Sequence, residues 1–264
     1  NFLIDHIHVL AAGKYPSCAA ALHAYLEIIG DIKPLSACLA IAGPVTGDLV
    51  RMTNLSWEFS CVAMAKEFGF QHFVAMNDFA AVAAACGDMS DEHLVTIKPG
   101  TAEHNATKAV FGPGTGLGVA GLVNHWGQWL PVPCEGGHVN MAPATAFEAD
   151  VIKAAISQLG HVSAEMFLSG PGLVNLYKAI CDVNGQQPED VTPATITGTA
   201  LTKGDALATQ TLSTFCSLLG SFAGNLALTY GAKGGIYLAG GILPRFSDYL
   251  IASDFSQRFA NKGV

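Results

Sequence analysis

An α/β fold is predicted by three features of the sequence. Short apolar runs ending in Gly, Pro or Asn recur along the chain, and helical patterns follow several of them. Glycine is abundant, 29 of 264 residues, in a chain that is half hydrophobic and only 13% charged. That balance suits a compact globular enzyme and not a disordered or fibrous chain.

The opening run, NFLIDHIHVLAA, is apolar, but it lacks a basic leading segment and is interrupted by Asp5, His6 and His8, which argues against a secretory signal. The first strand pattern is ACLAIAGP, from Ala37. HFVAMND, from His72, is the second, and the helical pattern FAAVAAAC follows its Asp78 directly. Both runs read as buried strands whose carboxyl ends meet a loop, the place where open α/β sheets hold ligands. Asn77 and Asp78 fall at such an end. They read either as a helix N-cap or as an amide and a carboxylate facing a substrate, with Asp78 placed to take a proton from an alcohol. A polar stretch, Gly87 to Thr107, separates this half from the rest, and the boundary between two lobes is expected there, giving residues 1–88 and 89–264.

KAVFGPG, from Lys108, is the next strand. It leads into Gly112, Gly114, Gly116 and Gly118, an alternation that exposes backbone N–H groups able to hold phosphate oxygens, with the Thr115 hydroxyl beside them. Residues 116–121 also spell GxGxxG. A dinucleotide fingerprint should open a helix, however, and GLGVAGLVNHWGQWLPV continues with strand alternation. PCEGGHVNMAP, from Pro133, then brings Glu135, Gly136, Gly137 and His138 together in a chain poor in charge. It reads as a polar turn, or as a pocket wall in which Glu135 and His138 face a hydroxyl-rich ligand while the glycines let the backbone come close.

Helical patterns follow in FEADVIKAAISQL and GLVNLYKAIC. Between them lie His161, read as a packing histidine, Glu165, read as a solvated helix residue or a ligand group, and Ser169, read as a helix cap. The uncharged run between Asp205 and Lys233 is long enough to span a bilayer, but Gln210, Ser213, Ser217, Ser221 and Asn225 mark a polar stripe, so a buried amphipathic helix is expected. GGIYLAGGILPRF closes the series with a strand and a Gly240-Gly241 turn. That turn is either a plain connection or a place where a flat base or a ribose meets the backbone.

The net charge of −8 and the absence of a Lys/Arg cluster argue against a nucleic-acid partner. Seven widely spaced cysteines with no CxxC read as reduced thiols in a cytoplasmic protein.

In this order, Asn77-Asp78-Phe79, the run Gly112 to Gly118, Glu135-Gly-Gly-His138, Ser163-Ala-Glu165 with Leu168 to Tyr177, and Gly234 to Pro244 resemble the bacterial glucokinase family. The likeness runs from about Ala37 onward and includes AIAGPVTGDLVRMTNLSW. It implies a two-lobed actin-like (ribonuclease H-like) fold with the ligand cleft between the lobes, and phosphorylation of glucose by ATP and Mg²⁺ in a homodimeric, soluble enzyme. By resemblance Asn77, Asp78, Glu135, His138 and Glu165 bind the sugar, with Asp78 as base. Gly112, Gly114, Thr115 and Gly116 meet the phosphates, and Gly240 and Gly241 lie near the adenosine.

Nothing before Ala37 matches the family's first phosphate loop, Asp-x-Gly-Gly-Thr, and the family continues past Asn261, so an incomplete chain is expected. No metal ligand is assigned. The alternatives are a sugar sensor on the same fold that has lost transfer activity and an NAD-dependent oxidoreductase built on the GxGxxG match. A sugar-responsive repressor is disfavoured, because no basic helix-turn-helix segment precedes the sugar motifs.

Overall fold

The computed structural model describes residues 4–52 and 54–263, so the first three residues of the apolar opening lie outside the described residues. The chain divides into two compact units between Ala81 and Val82.

The first unit holds α1 (Cys18–Ile29), β1 (Ser36–Ile41), β2 (Leu49–Arg51), β3 (Glu58–Ser60), α2 (Cys61–Phe68) and β4 (His72–Asn77), and α3 (Asp78–Asp88) begins there. Ser17 starts α1 by accepting a hydrogen bond from the Ala20 N–H at 3.1 Å, and Gly30 ends it at φ +69°. β1 and β4 pair in parallel from Ser36 opposite His72 to Ile41 opposite Asn77. The expectation that both strands are buried is corrected. Ser36, Cys38 and Ala40 of β1 and His72 and Val74 of β4 are exposed, while Ala37, Leu39, Ile41, Phe73 and Ala75 pack on the core with Trp57, Phe59 and Met64. One face of the pair is covered, so the strands alternate.

Asp48 fastens the start of α2. Its Oδ2 accepts from the Ser60 hydroxyl at 2.6 Å and its Oδ1 from the Val62 N–H at 2.8 Å. These bonds, the Ser60 bond first, hold the Asp48 carboxyl below the usual carboxylate range. A lowered folded pKa contributes stability above the unfolded value, about 3.9 for Asp, and that contribution is lost as pH falls through the folded value. Asp48→Asn is therefore expected to lower the denaturant midpoint near neutrality and to converge on the wild type in acid. A constant gap at every pH would show that the carboxylate charge is irrelevant.

The second unit is built on one sheet of β5 (Lys108–Pro113), β6 (Leu117–His125), β7 (Gln128–Cys134) and β8 (Ile236–Leu238), in the order β7-β6-β5-β8. The neighbours β7, β6 and β5 are antiparallel, and β8 runs parallel to β5. The helices are α4 (Ala146–Leu159), α5 (Gly170–Val183), α6 (Pro193–Leu201), α7 (Ala206–Tyr230), α8 (Ser247–Ala252) and α9 (Phe255–Ala260). β5 is buried at Ala109, Val110 and Phe111. The GxGxxG residues run from the β5–β6 hairpin along β6 and open no helix, which removes the structural context a dinucleotide site requires.

α7 is the one helix among the described residues long and apolar enough to cross a membrane. However, 78% of its apolar window is buried inside the protein. Its polar stripe receives α9 and the residues after it: Arg258 donates to Ser221 Oγ, and Lys262 Nζ donates to Asn225 Oδ1 at 2.8 Å. Gln210 Oε1 accepts from Asn184 at 2.9 Å. The stripe is a docking line that satisfies its partners inside the fold.

Candidate active site

In the first unit, Asn77 and Asp78 stand at the junction of β4 and α3, and both are half-buried. Asn77 Oδ1 accepts from the Ala80 N–H at 3.1 Å, which caps the helix, and its Nδ2 donates to Gly43 O at 3.2 Å. Asp78 Oδ1 accepts from the Phe79 N–H at 2.8 Å. Asn77 takes the cap, and Asp78 keeps one carboxylate oxygen without a hydrogen-bond partner among the described residues.

In the second unit, β7 leads into a 3-10 turn, Gly136–His138, with Glu135 at its start. Glu135 and His138 are both exposed, with Glu135 Oε2 3.8 Å from His138 Nε2. The backbone before Glu135 is held by Cys134, whose Sγ accepts from the Tyr230 hydroxyl at 2.8 Å and donates to Val119 O at 3.4 Å. Burial first, then Cys134, pushes the Tyr230 hydroxyl's pKa upward, so it is protonated and available as the donor. The two glycines serve the protein's own packing. A Cβ on Gly136 would lie 3.0 Å from the Val119 side chain, and one on Gly137 would collide with Leu117 O. Their bare faces are turned to β6, which corrects the expectation that they thin the wall toward a ligand.

Glu165 joins this turn to the glycine-rich hairpin. Its N–H donates to Gly137 O at 2.9 Å, and its Oε2 accepts from the Leu117 N–H at 2.9 Å. The carboxylate lies so close to the α-carbon of Gly116 that a Cβ there would sit 2.6 Å from Oε2. Glu165 is half-buried and bonded, not a solvated helix residue, whereas His161, read as a packing histidine, is exposed. Ser169 does cap α5, its Oγ accepting from the Gly172 N–H at 2.9 Å.

The hairpin's Gly114 and Thr115 line a cavity of about 330 Å³ with Gly170, Pro171 and Leu173 of α5, Pro193, Ala194 and Thr197 of α6, and Gly241, Ile242 and Arg245. Gly112, Gly116 and Gly240 do not line it. Gly112 and Gly240 pack their bare faces on backbone, Gly112 on Ala239 and Gly240 and Gly240 on Pro113, so they set a close approach of main chains, whereas Gly116 turns its bare face to the Glu165 carboxylate. The Gly114 N–H is engaged by Gly116 O at 2.8 Å, so it is not available to a phosphate in this arrangement. Sequence reasoning missed Arg245 and Ile242. The available signal was that Arg245 is the single charge in the run Gly234 to Phe246.

A family model described as Glucokinase matches residues 3–264. A glucokinase of Saccharophagus degradans is 53% identical over 263 residues, covering 100% of this chain and 82% of the relative. One of Nitrobacter hamburgensis is 43% identical over 255 residues, covering 96% and 80%. The crystal structure of a glucokinase from an Antarctic psychrotroph superposes with a TM-score of 0.90 at 40% identity, covering 97% of this chain and 80% of that one. A glucokinase from Balamuthia mandrillaris, solved in complex with glucose, shares the fold at a TM-score of 0.69 and 23% identity, over 89% of this chain and 73% of that one.

Proposed function

The chain belongs to the glucokinase family, and from that membership we propose that it is an ATP-dependent hexose kinase transferring the γ-phosphoryl group of ATP to the 6-hydroxyl of D-glucose. The observation that carries this reading is the joining, by Glu165, of the glycine-rich hairpin to the Glu135–His138 turn, in a chain 53% identical to a glucokinase along its whole length. Nothing in the comparisons favours the sensor alternative.

A neutral hexose offers no charge, so its affinity comes from hydrogen bonds to its hydroxyls. Glu135 and Glu165 accept them, the Asn77 amide donates and accepts, and His138 does either according to tautomer. Gly114, Thr115 and Gly241 contact the donor, while Gly112, Gly116 and Gly240 shape the backbone around it. Asp78 takes the proton of the attacking hydroxyl. The bond from O6 to the γ-phosphorus forms in line as the bond to the β-phosphate oxygen breaks, and ADP leaves. Backbone N–H groups meet the charge spread over the transferring phosphoryl oxygens.

Mg²⁺ is held by few protein carboxylates and mostly by the donor's phosphates in sites of this kind. A homodimer in the cytoplasm completes the proposal. All seven cysteines are free, and burial holds the Cys18 thiol pKa at about 11 and that of Cys216 at about 12, so both stay protonated and inert.

Glucose-dependent release of ADP from ATP by the full-length protein, with glucose 6-phosphate as product, tests the reading, and no glucose-dependent ADP release would end it. Within it, Glu135→Gln is expected to raise the glucose KM about tenfold or more, because a hydrogen bond to a charged group is worth roughly 1.5–3 kcal/mol, while the ATP KM stays put. Equal increases in both would argue against a sugar-specific role.

A further inference from the structure

The helix that begins with Asp78 is anchored at its other end. Cys86 lies in the last turn of α3, where carbonyls find no partner inside the helix. Lys108, the first residue of β5, supplies one: its Nζ donates to Cys86 O at 2.8 Å. The ammonium is itself held by two rings, 4.8 Å from the centroid of Trp129 on β7 and 5.3 Å from that of Tyr237 on β8. Two aromatic faces confine the charge, and a cation suits the negative end of a helix. Packing reinforces the bond. A Cβ on Gly87 would lie 2.8 Å from Trp129 Cδ1, and one on Gly234 would lie 3.0 Å from Lys108 Cγ. The last turn of α3 therefore sits against the indole, and the lysine stem lies along the chain that leads into β8.

Such an anchor has leverage over the start of the helix. With 11 residues, α3 is about 16 Å long, so a tilt of about 4° at its last turn moves its first residue by about 1 Å. A misplacement of about 1 Å at a reacting group can cost about 10²-fold in rate. The strands that hold the last turn also lead to the site, β5 to the glycine-rich hairpin and β7 to Glu135. We propose that Lys108 is a positioning residue for the phosphoryl transfer: by holding Cys86 O it fixes the end of α3 and, through the helix, the aim of the Asp78 carboxylate. Lys108 touches no reacting atom in this role, and its whole effect passes through Asp78.

This role rests on the kinase reading with Asp78 as base, and amide hydrogen exchange separates the two. Lys108→Met keeps the stem and removes the charge and the donor. In the full-length protein it is expected to lower kcat about 10- to 100-fold, to leave the KM for glucose and for ATP within a small factor, and to be partly rescued by Lys108→Arg. In an Asp78→Asn background the same substitution should cost less than about twofold, because the group it aims is already gone. Exchange across α3 should be about tenfold faster or more in Lys108→Met, as the last turn loses its hydrogen bond. Where Lys108→Met does not fold, Gly87→Ala carries the test. Ala favours a helix over Gly, yet its Cβ meets the indole, so the last turn shifts with the charge untouched and kcat should fall with both KM values unchanged. Unchanged kcat would overturn the proposal, and so would an equal fall in the Asp78→Asn background, which marks a general loss of structure. If the wild type releases no glucose-dependent ADP, the kinase reading fails by itself and exchange decides the anchor: faster exchange in Lys108→Met keeps it, and unchanged exchange removes it.

Discussion

Asp78→Asn is expected to lower turnover about 10²–10⁴-fold while the glucose KM and directly measured glucose affinity stay within a small factor. The substitution isolates the proton-accepting role because the local structure does not depend on the carboxylate charge. The cap of α3 belongs to Asn77, which holds the Ala80 N–H, and an Asn at 78 retains the oxygen that accepts from Phe79 N–H. What is lost is the proton acceptor proposed for the 6-hydroxyl. Steady-state kinetics on purified variant, with its helix content compared by circular dichroism, reads this directly. Near-normal turnover would remove Asp78 from the base's role, and a large fall in glucose affinity with turnover retained would reassign it to sugar binding.

The second large effect is on stability. Glu148, at the start of α4, is buried, and its carboxylate meets Arg258 of α9 in a two-point pair, Nη1 to Oε1 at 2.6 Å and Nη2 to Oε2 at 2.9 Å. Arg258 also donates to Ser221 of α7, and Glu148 Oε2 accepts from the Ala144 N–H at 2.7 Å. Removing one partner leaves the other's charge in a dry environment, so Glu148→Ala is expected to destabilise the second unit by about 3–5 kcal/mol. That is a large fraction of the roughly 5–15 kcal/mol that stabilises a domain. The double variant Glu148→Ala with Arg258→Met should recover much of that loss, because no charge is then stranded. Chemical denaturation of the wild type, both single variants and the double variant closes the cycle. Additive losses in the double variant would mean that packing, not the pair, accounts for the cost.

Much of this fold and part of its site could be read one residue after another. The strands from Ala37, His72, Lys108 and Gly235 carry runs whose apolar character marks them, and Ser169 and Asp205 announce α5 and α7 by capping them from one or three residues away. Asn77 and Asp78 were legible as a strand end meeting a helix start. α6 was not, because PATITGTAL is rich in threonine and contains Gly198, and its helix is held by the Thr192 cap and by burying Ile196, Thr197 and Ala200. α9 was missed for a related reason. Six residues cannot sustain a helix alone, and its anchor is the Arg258 pair with a residue 110 positions away.

The residue chemistry along this chain and the capped starts of α5 and α7 are therefore local properties, set by contacts a few residues apart. Whether Glu165 would face water or grip Leu117, and whether Gly136 and Gly137 would turn to a ligand or to β6, were settled by folding. Those outcomes depend on groups far apart in the chain losing water together, and an electrostatic or packing energy of that kind has no value until both partners share the same interior.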